Sequence, residues 1–160
     1  MVSKSAARLV AQIEARHEPF HAAVQRLKPQ DFESATSASW TVKELLGHIA
    51  FWDEAVFGFV TSVLRQRELS ADWSFGSGFR PAEDGTWPHF DVHNAREAAW
   101  ARTQPADTVR SRLKTAHRMM VDSVASATED EYLIQRDYYE GLGSHYLDHL
   151  PELEGIVGKQ

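Results

Sequence analysis

The sequence contains no cysteine, which excludes disulfides, thiolate-bound metal ions and a cysteine nucleophile. It also lacks a dense run of lysine and arginine, and its 17 basic residues are outnumbered by 23 acidic ones, giving a net charge of −6. This balance argues against nucleic acid as a partner, because nucleic-acid binding depends on clustered basic residues. Any metal chemistry must therefore use histidine and carboxylate side chains.

Long apolar runs are missing as well. No segment approaches the roughly 18 apolar residues of a membrane-spanning helix, and the N-terminal segment lacks the regions of a signal peptide. We therefore predict a cytoplasmic protein without a membrane partner. Phosphate-binding loops, dinucleotide-binding fingerprints and Ser-His-Asp arrangements are absent too, which disfavours NTPases, Rossmann enzymes and serine hydrolases.

The remaining composition is that of a globular protein. Hydrophobic residues make up 42% of the 160 residues and charged residues 25%. These proportions are typical of a folded chain, and the length is that of one ordinary domain. We therefore predict a single domain that spans residues 1–160.

Apolar residues recur at steps of three and four over most of the chain, which is the spacing of amphipathic helices. The predicted helices cover residues 5–27, about 41–68, about 92–124 with an interruption at Pro105, and about 143–157. Pro19 predicts a kink or a break in the first helix, because proline removes a backbone hydrogen bond. Residues 126–135 are predicted to form a short acidic link. With no alternating strand pattern, the sequence predicts an all-α bundle of four main helices.

A long segment rich in glycine, proline and aromatic residues separates the second and third helices, over residues 70–91. Its large aromatic residues are Trp73, Phe75, Phe79, Trp87 and Phe90. We interpret it as a crossover loop that joins helices 2 and 3. A lid over a cavity or a contact between subunits is the alternative, because exposed aromatic residues need burial somewhere.

Eight histidines form three pairs at i, i+4 spacing and two single positions. The pairs are His17 with His21, His89 with His93 and His145 with His149, and the single residues are His48 and His117. A pair at this spacing places two imidazoles on one helix face, as a pair of metal ligands requires. His48 and the pair His145/His149 lie on predicted buried faces, so convergence on one zinc, nickel, copper or iron ion is one interpretation. Structural histidines are the other.

Two histidine-bearing segments resemble a known family. SWTVKELLGHIAFWD (residues 39–53) and SHYLDH (residues 144–149) are similar to the second-helix and terminal signatures of the DinB/YfiT-like superfamily of four-helix-bundle metalloenzymes. The similarity extends over nearly the whole chain. It implies that His48, His145 and His149 are the metal ligands. It also implies an up-down-down-up bundle with a long crossover, and a homodimer.

Residues near the terminal signature allow several interpretations. Pro151 predicts a bend in the last helix. Glu152 shares a face with His149, and it is the one candidate catalytic residue: a fourth ligand, a general base or a solvated terminal acid, of which we favour the last. Asp53 and Asp148 are candidates for orienting an imidazole ligand.

The other histidines receive structural interpretations. We expect His17 in the core or at its boundary, His21 at the edge of the same face, and His117 in a structural role. His89 and His93 bracket Asp91, where a second metal site is one interpretation. A capped loop is the favoured one.

The resemblance implies an enzyme that uses a divalent ion, Zn, Ni or similar, on a small-molecule substrate. Such an ion lowers the pKa of a water or thiol that binds it, which favours hydrolysis or thiol transfer. Related transferases use a low-molecular-weight thiol cosubstrate such as mycothiol or bacillithiol, and such a cosubstrate supplies the sulfur that a chain without cysteine lacks. Two alternatives stay open: a non-catalytic metal-binding or small-molecule-binding protein of the stress-response type, and an interaction module with structural histidines.

Overall fold

The computed structural model describes residues 3–65 and 90–158. Its α-helices are α1 (Lys4–Arg26), α2 (Val42–Gly58), α3 (Phe90–Thr103), α4 (Ala106–Ala125), α5 (Glu129–Ile134), α6 (Arg136–Gly141) and α7 (Ser144–Val157). A 3-10 helix spans Pro29–Glu33, and a π-helical segment spans Phe59–Leu64. Apart from one bridge between Ala35 and Thr41, the described residues contain no strand, which confirms the all-α prediction. None of the described helices has the combined length and apolar character needed to cross a membrane.

The helices divide into two compact units. The unit formed by Met1–Val42 and Val121–Gln160 contains α1 and α7, which pack against each other along their apolar faces. The buried residues on these faces include Leu9, Ile13, Phe20 and Val24 from α1 and Tyr146, Leu153 and Ile156 from α7. Their helical spacing was the sequence signal for both elements.

The turn that precedes α7 fixes where this helix begins. Gly143 has a φ of 81°, a left-handed conformation that favours glycine. The guanidinium of Arg16 on α1 donates hydrogen bonds from Nη1 to the carbonyl oxygens of Glu140 (3.0 Å) and Leu142 (2.5 Å). These contacts hold the turn that leads into α7 against α1, and His145 lies in the first turn of α7.

In the other unit, Lys43–Met120, α2 and α3 approach each other closely. A Cβ atom at Gly47 would lie 2.8 Å from the Cβ of Ala101, so glycine at this position permits the short distance between the helices. Ala98 and Ala101 on α3 are buried. The small residues thereby bring His48, which follows Gly47, close to side chains of α3.

Of the kink or break predicted at Pro19, the break is wrong, because α1 continues through this residue, while the kink stays a prediction; α7 likewise continues through Pro151. A proline removes one backbone hydrogen bond, whereas the apolar faces of both helices pack on either side of it. The predicted interruption at Pro105 is confirmed, since it lies between α3 and α4.

The acidic link predicted for residues 126–135 is also wrong, because it contains α5 and is followed by α6. Thr128 caps α5 by accepting a hydrogen bond from the backbone N–H of Glu131 at 3.1 Å, and acidic residues fill the first turn. Both features stabilise a helix N-terminus. The third helical region begins at Phe90, two residues earlier than predicted. The aromatic loop up to His89 lies outside the described residues, as does the predicted end of the second helix.

Candidate metal centre

His145 and His149 lie one turn apart on α7 and turn their rings towards each other. Their Nε2 atoms are 3.1 Å apart. Two ring nitrogens at this distance either share a proton in a hydrogen bond or bind one cation together. The i, i+4 spacing seen in the sequence therefore produces a close pair of donors on the folded helix.

Glu152 holds the other nitrogen of His149. His149 Nδ1 lies 3.0 Å from Glu152 Oε2, and the two side chains are only 18% and 14% exposed. A carboxylate accepts, so His149 donates from Nδ1, which leaves Nε2 as the atom that can bind a metal ion through its lone pair. Glu152 is thus not merely a solvated acid, the interpretation that we had favoured. Because α7 continues through Pro151, Glu152 keeps its place one turn after His149.

The electrostatic surroundings keep His145 neutral. Burial and, to a smaller extent, the neighbouring His149 lower the pKa of His145 to about 4, although Asp148 opposes the shift. A histidine with this pKa is uncharged at neutral pH. The neutral imidazole is the form that binds a metal ion.

The geometry of the pair fits a divalent ion. Two imidazole nitrogens about 2.1 Å from one ion, in neighbouring coordination positions, lie about 3.0–3.4 Å apart. The 3.1 Å between the Nε2 atoms of His145 and His149 falls within this range. A carboxylate on the second nitrogen of a ligand, as Glu152 is on His149, is the usual partner of a histidine that binds zinc. The pair therefore has the spacing, donor type and support of two metal ligands.

In the other unit, His48 is buried on α2 and contacts Asn94 of α3. His48 Nδ1 lies 3.0 Å from Asn94 Oδ1. Trp52, one turn further along α2, donates from Nε1 to the same oxygen at 3.0 Å. The predicted inward orientation of His48 is confirmed, and its partner is an amide.

The sequence identified the side chains that support the imidazoles only in part, since it named Glu152, in other roles, but not Asn94. Asp148 and Asp53 are the candidates that the sequence offered for orienting them; Asp148 is exposed and Asp53 is buried on α2, and the contacts at Nδ1 of His149 and His48 come from Glu152 and Asn94. Asn94 comes from a different helix, so no spacing along the chain could reveal it.

The remaining histidines divide between packed and exposed positions. His93 is buried and stacks on Phe51, with ring centroids 5.3 Å apart, and burial followed by Arg96 lowers its pKa. His89, its partner in the predicted second site, lies outside the described residues. His17 packs edge-on against Tyr146 at 4.8 Å, in agreement with a boundary position. His21 is exposed and His117 is partly buried.

Comparison with known proteins identifies the family. A family model for the DinB superfamily matches residues 12–150, which include both histidine-bearing segments. No curated protein and no solved structure shows significant similarity to the chain. The match extends over most of the sequence and agrees with the resemblance found in the two signatures. The chain belongs to the DinB superfamily.

Proposed function

We propose that the protein is a metal-dependent enzyme in which His48, His145 and His149 hold one divalent ion, zinc, nickel or a similar metal. The observation that carries the proposal is the pair of Nε2 atoms of His145 and His149, 3.1 Å apart and supported by Glu152. Membership of the DinB superfamily and the signature around His48 support the third ligand. Three protein ligands leave coordination positions for a substrate, the arrangement of catalytic rather than structural zinc sites.

The protein's own residues would prepare the ligands. Glu152 accepts the Nδ1 proton of His149, and Asn94 contacts Nδ1 of His48. Each ring is thus held at Nδ1, and its Nε2 would be the atom that binds the ion. When bound, the ion would supply the positive charge that lowers the pKa of a thiol or a water molecule. We propose transfer of a low-molecular-weight thiol to a small electrophilic substrate as the reaction class, with hydrolysis as the alternative within the same chemistry.

Cobalt substitution tests whether the ion is open to substrate. We expect the absorption spectrum of the Co²⁺ protein to change when mycothiol or bacillithiol is added, because a thiolate that binds the ion adds a sulfur-to-cobalt charge-transfer band. The corresponding disulfides, which have no thiol to bind, are the matched control. A change with small carboxylates but not with thiols would favour hydrolysis.

The opposite outcome supports the non-catalytic alternative. If the Co²⁺ spectrum responds to neither thiols nor carboxylates, the ion has no exchangeable position, and the enzyme proposal is wrong. A protein that binds stoichiometric metal and turns over no thiol-transfer or hydrolysis substrate would be a metal-binding protein.

Replacing Glu152 tests how the pair is supported. We expect Glu152→Ala to weaken Zn²⁺ binding about 10–100-fold, because the carboxylate that fixes the proton position of His149 is lost. Glu152→Gln should lose less, since its amide oxygen still accepts from Nδ1. Competition with a chromophoric chelator measures both affinities.

Glu154→Ala is the matched control for Glu152→Ala. Glu154 is an exposed acid on the same helix, so its replacement changes the net charge equally without touching His149. Similar losses in the two alanine variants would show that Glu152 acts through overall charge alone. No loss in Glu152→Ala would show that its contact with His149 is irrelevant to the ion.

A further inference from the structure

Asn94 connects two side chains of α2 through a single oxygen. Its Oδ1 lies 3.0 Å from Trp52 Nε1 and 3.0 Å from His48 Nδ1. An amide oxygen has two lone pairs and accepts two hydrogen bonds, whereas the amide nitrogen only donates. The orientation of this amide therefore decides whether His48 Nδ1 faces an acceptor and must donate, or faces a donor and must accept.

Trp52 settles that orientation. The indole N–H only donates, so the atom of Asn94 that it contacts must be the oxygen. The same oxygen faces His48, so His48 Nδ1 must carry a proton and donate it. In the neutral imidazole the lone pair then belongs to Nε2.

The indole is well placed to hold the amide, because other rings pack around it. Its ring lies edge-on to Phe51 (centroids 5.1 Å apart), Phe90 (5.3 Å) and His93 (6.2 Å). Two of these residues, Phe90 and His93, come from α3, the helix that carries Asn94. The packing thus restrains the donor and the amide together.

We infer that Trp52 and Asn94 are positioning residues that fix His48 as the Nδ1–H tautomer and so direct the Nε2 lone pair to the metal ion. The inference rests on the proposed function, in which His48 is a ligand. Asn94 thus accepts the Nδ1 proton of His48, as Glu152 accepts the Nδ1 proton of His149. Trp52 acts indirectly, because its hydrogen bond to Asn94 Oδ1 prevents the amide from rotating by 180°.

Nitrogen NMR of the metal-free protein tests the tautomer directly. Long-range proton–nitrogen correlation on protein labelled at histidine, at about pH 8 where histidine is normally neutral, distinguishes a protonated ring nitrogen from an unprotonated one. We expect His48 to show protonated Nδ1 and unprotonated Nε2. The opposite tautomer in the native protein would overturn the inference.

Three substitutions test which residues set the tautomer. Trp52→Phe keeps an aromatic ring but removes the N–H, so the amide can rotate and present its nitrogen to His48, and we expect the Nε2–H tautomer to appear. Asn94→Leu removes the acceptor and should have the same effect. Asn94→Asp keeps an acceptor for both donors and should retain the native tautomer. If Trp52→Phe and Asn94→Leu both leave only the Nδ1–H form, the inference is wrong.

Zinc affinity connects the tautomer with the proposed site. We expect Asn94→Leu to weaken Zn²⁺ binding about 10–100-fold and Asn94→Asp to preserve it. An unchanged affinity in Asn94→Leu would overturn the positioning role. The NMR experiment needs no metal, so its result is independent of Zn²⁺ binding. If His48 is the Nδ1–H tautomer but the protein binds no Zn²⁺, the proposed function is wrong and the tautomer assignment still holds.

Discussion

Replacement of His48, His145 or His149 by alanine is expected to reduce the affinity for Zn²⁺ about 100-fold or more in each case. Zinc sites with four protein ligands contribute about 10–16 kcal/mol, or roughly 3 kcal/mol for each ligand. A site with three histidines that loses one therefore keeps too little binding energy to hold the ion at micromolar concentrations. Metal content after gel filtration and competition with a chelator measure the effect.

The control for these variants is His21→Ala, which removes an exposed histidine from α1. It should keep the native affinity. Equal metal content in all four variants would contradict the three-ligand assignment. Loss in the His145 and His149 variants with full binding in His48→Ala would place the ion on α7 alone and would remove His48 from the site.

The apo forms of these variants should remain folded, which separates loss of a ligand from loss of structure. A chain of 160 residues buries enough apolar surface to fold without an ion, unlike a small zinc domain. Circular dichroism of the metal-free native protein and its variants should show the same helix content. Added Zn²⁺ should raise the melting temperature of the native protein and of His21→Ala but not of the three ligand variants, through preferential binding to the folded state.

The helix that carries the pair could be predicted almost completely from sequence. The apolar spacing of Tyr146, Leu153 and Ile156 defined the face of α7, and the i, i+4 spacing placed His145 and His149 together. The bend predicted at Pro151 rested on one lost backbone hydrogen bond. That rule takes no account of the packing of α7 on α1, and α7 continues through Pro151. Local rules were sufficient where the interaction lies within one helix.

Contacts between helices could not be predicted in the same way. Asn94 is an ordinary amide in the sequence, and it acquires a role only because the close approach of α2 and α3 at Gly47 brings it to His48 and Trp52. No rule of spacing along the chain connects residues that lie on two different helices. The sequence therefore located the imidazoles and placed Glu152 on the face of His149, but it did not identify Asn94.

A buried cluster of charges was missed for the same reason. Arg112 on α4 donates from Nε and Nη2 to the two carboxylate oxygens of Glu54 on α2, at 2.9 and 2.8 Å, and from Nη1 to Glu97 on α3 at 2.7 Å. Its guanidinium also stacks on Trp100, 4.3 Å from the ring centroid. The side chains of Arg112, Glu54 and Glu97 are 3%, 4% and 6% exposed. In the sequence these three charged residues look like residues on the solvent-exposed faces of amphipathic helices.

The cluster connects the three helices of its unit and bears on the candidate site. Glu54 lies on the helix that carries His48, and Glu97 lies one turn after Asn94 on α3. A single guanidinium thus holds α2 and α3 in the register at which Asn94 contacts His48. Arginine suits this place because its planar donors bind two carboxylates at once.

Replacing Arg112 by alanine is expected to lower the free energy of unfolding by about 3–5 kcal/mol, because two buried carboxylates lose their shared partner. Arg112→Lys should recover part of the loss, since lysine restores the charge without the two-pronged hydrogen bonding. Arg118→Ala, an exposed arginine on the same helix, is the matched control and should change stability by no more than about 0.5 kcal/mol. Urea denaturation followed by circular dichroism measures all three.

The pH dependence of the loss identifies its cause. Burial already raises the pKa of Glu54, with Arg112 opposing the shift. Without Arg112 the pKa of Glu54 rises further, so the folded variant keeps a proton that the unfolded chain releases, and its stability falls as pH increases. The deficit of Arg112→Ala should therefore be smaller near about pH 5 than near about pH 8. A deficit that is equal at both pH values would attribute the loss to the cavity and the missing contact with Trp100 rather than to the carboxylate of Glu54.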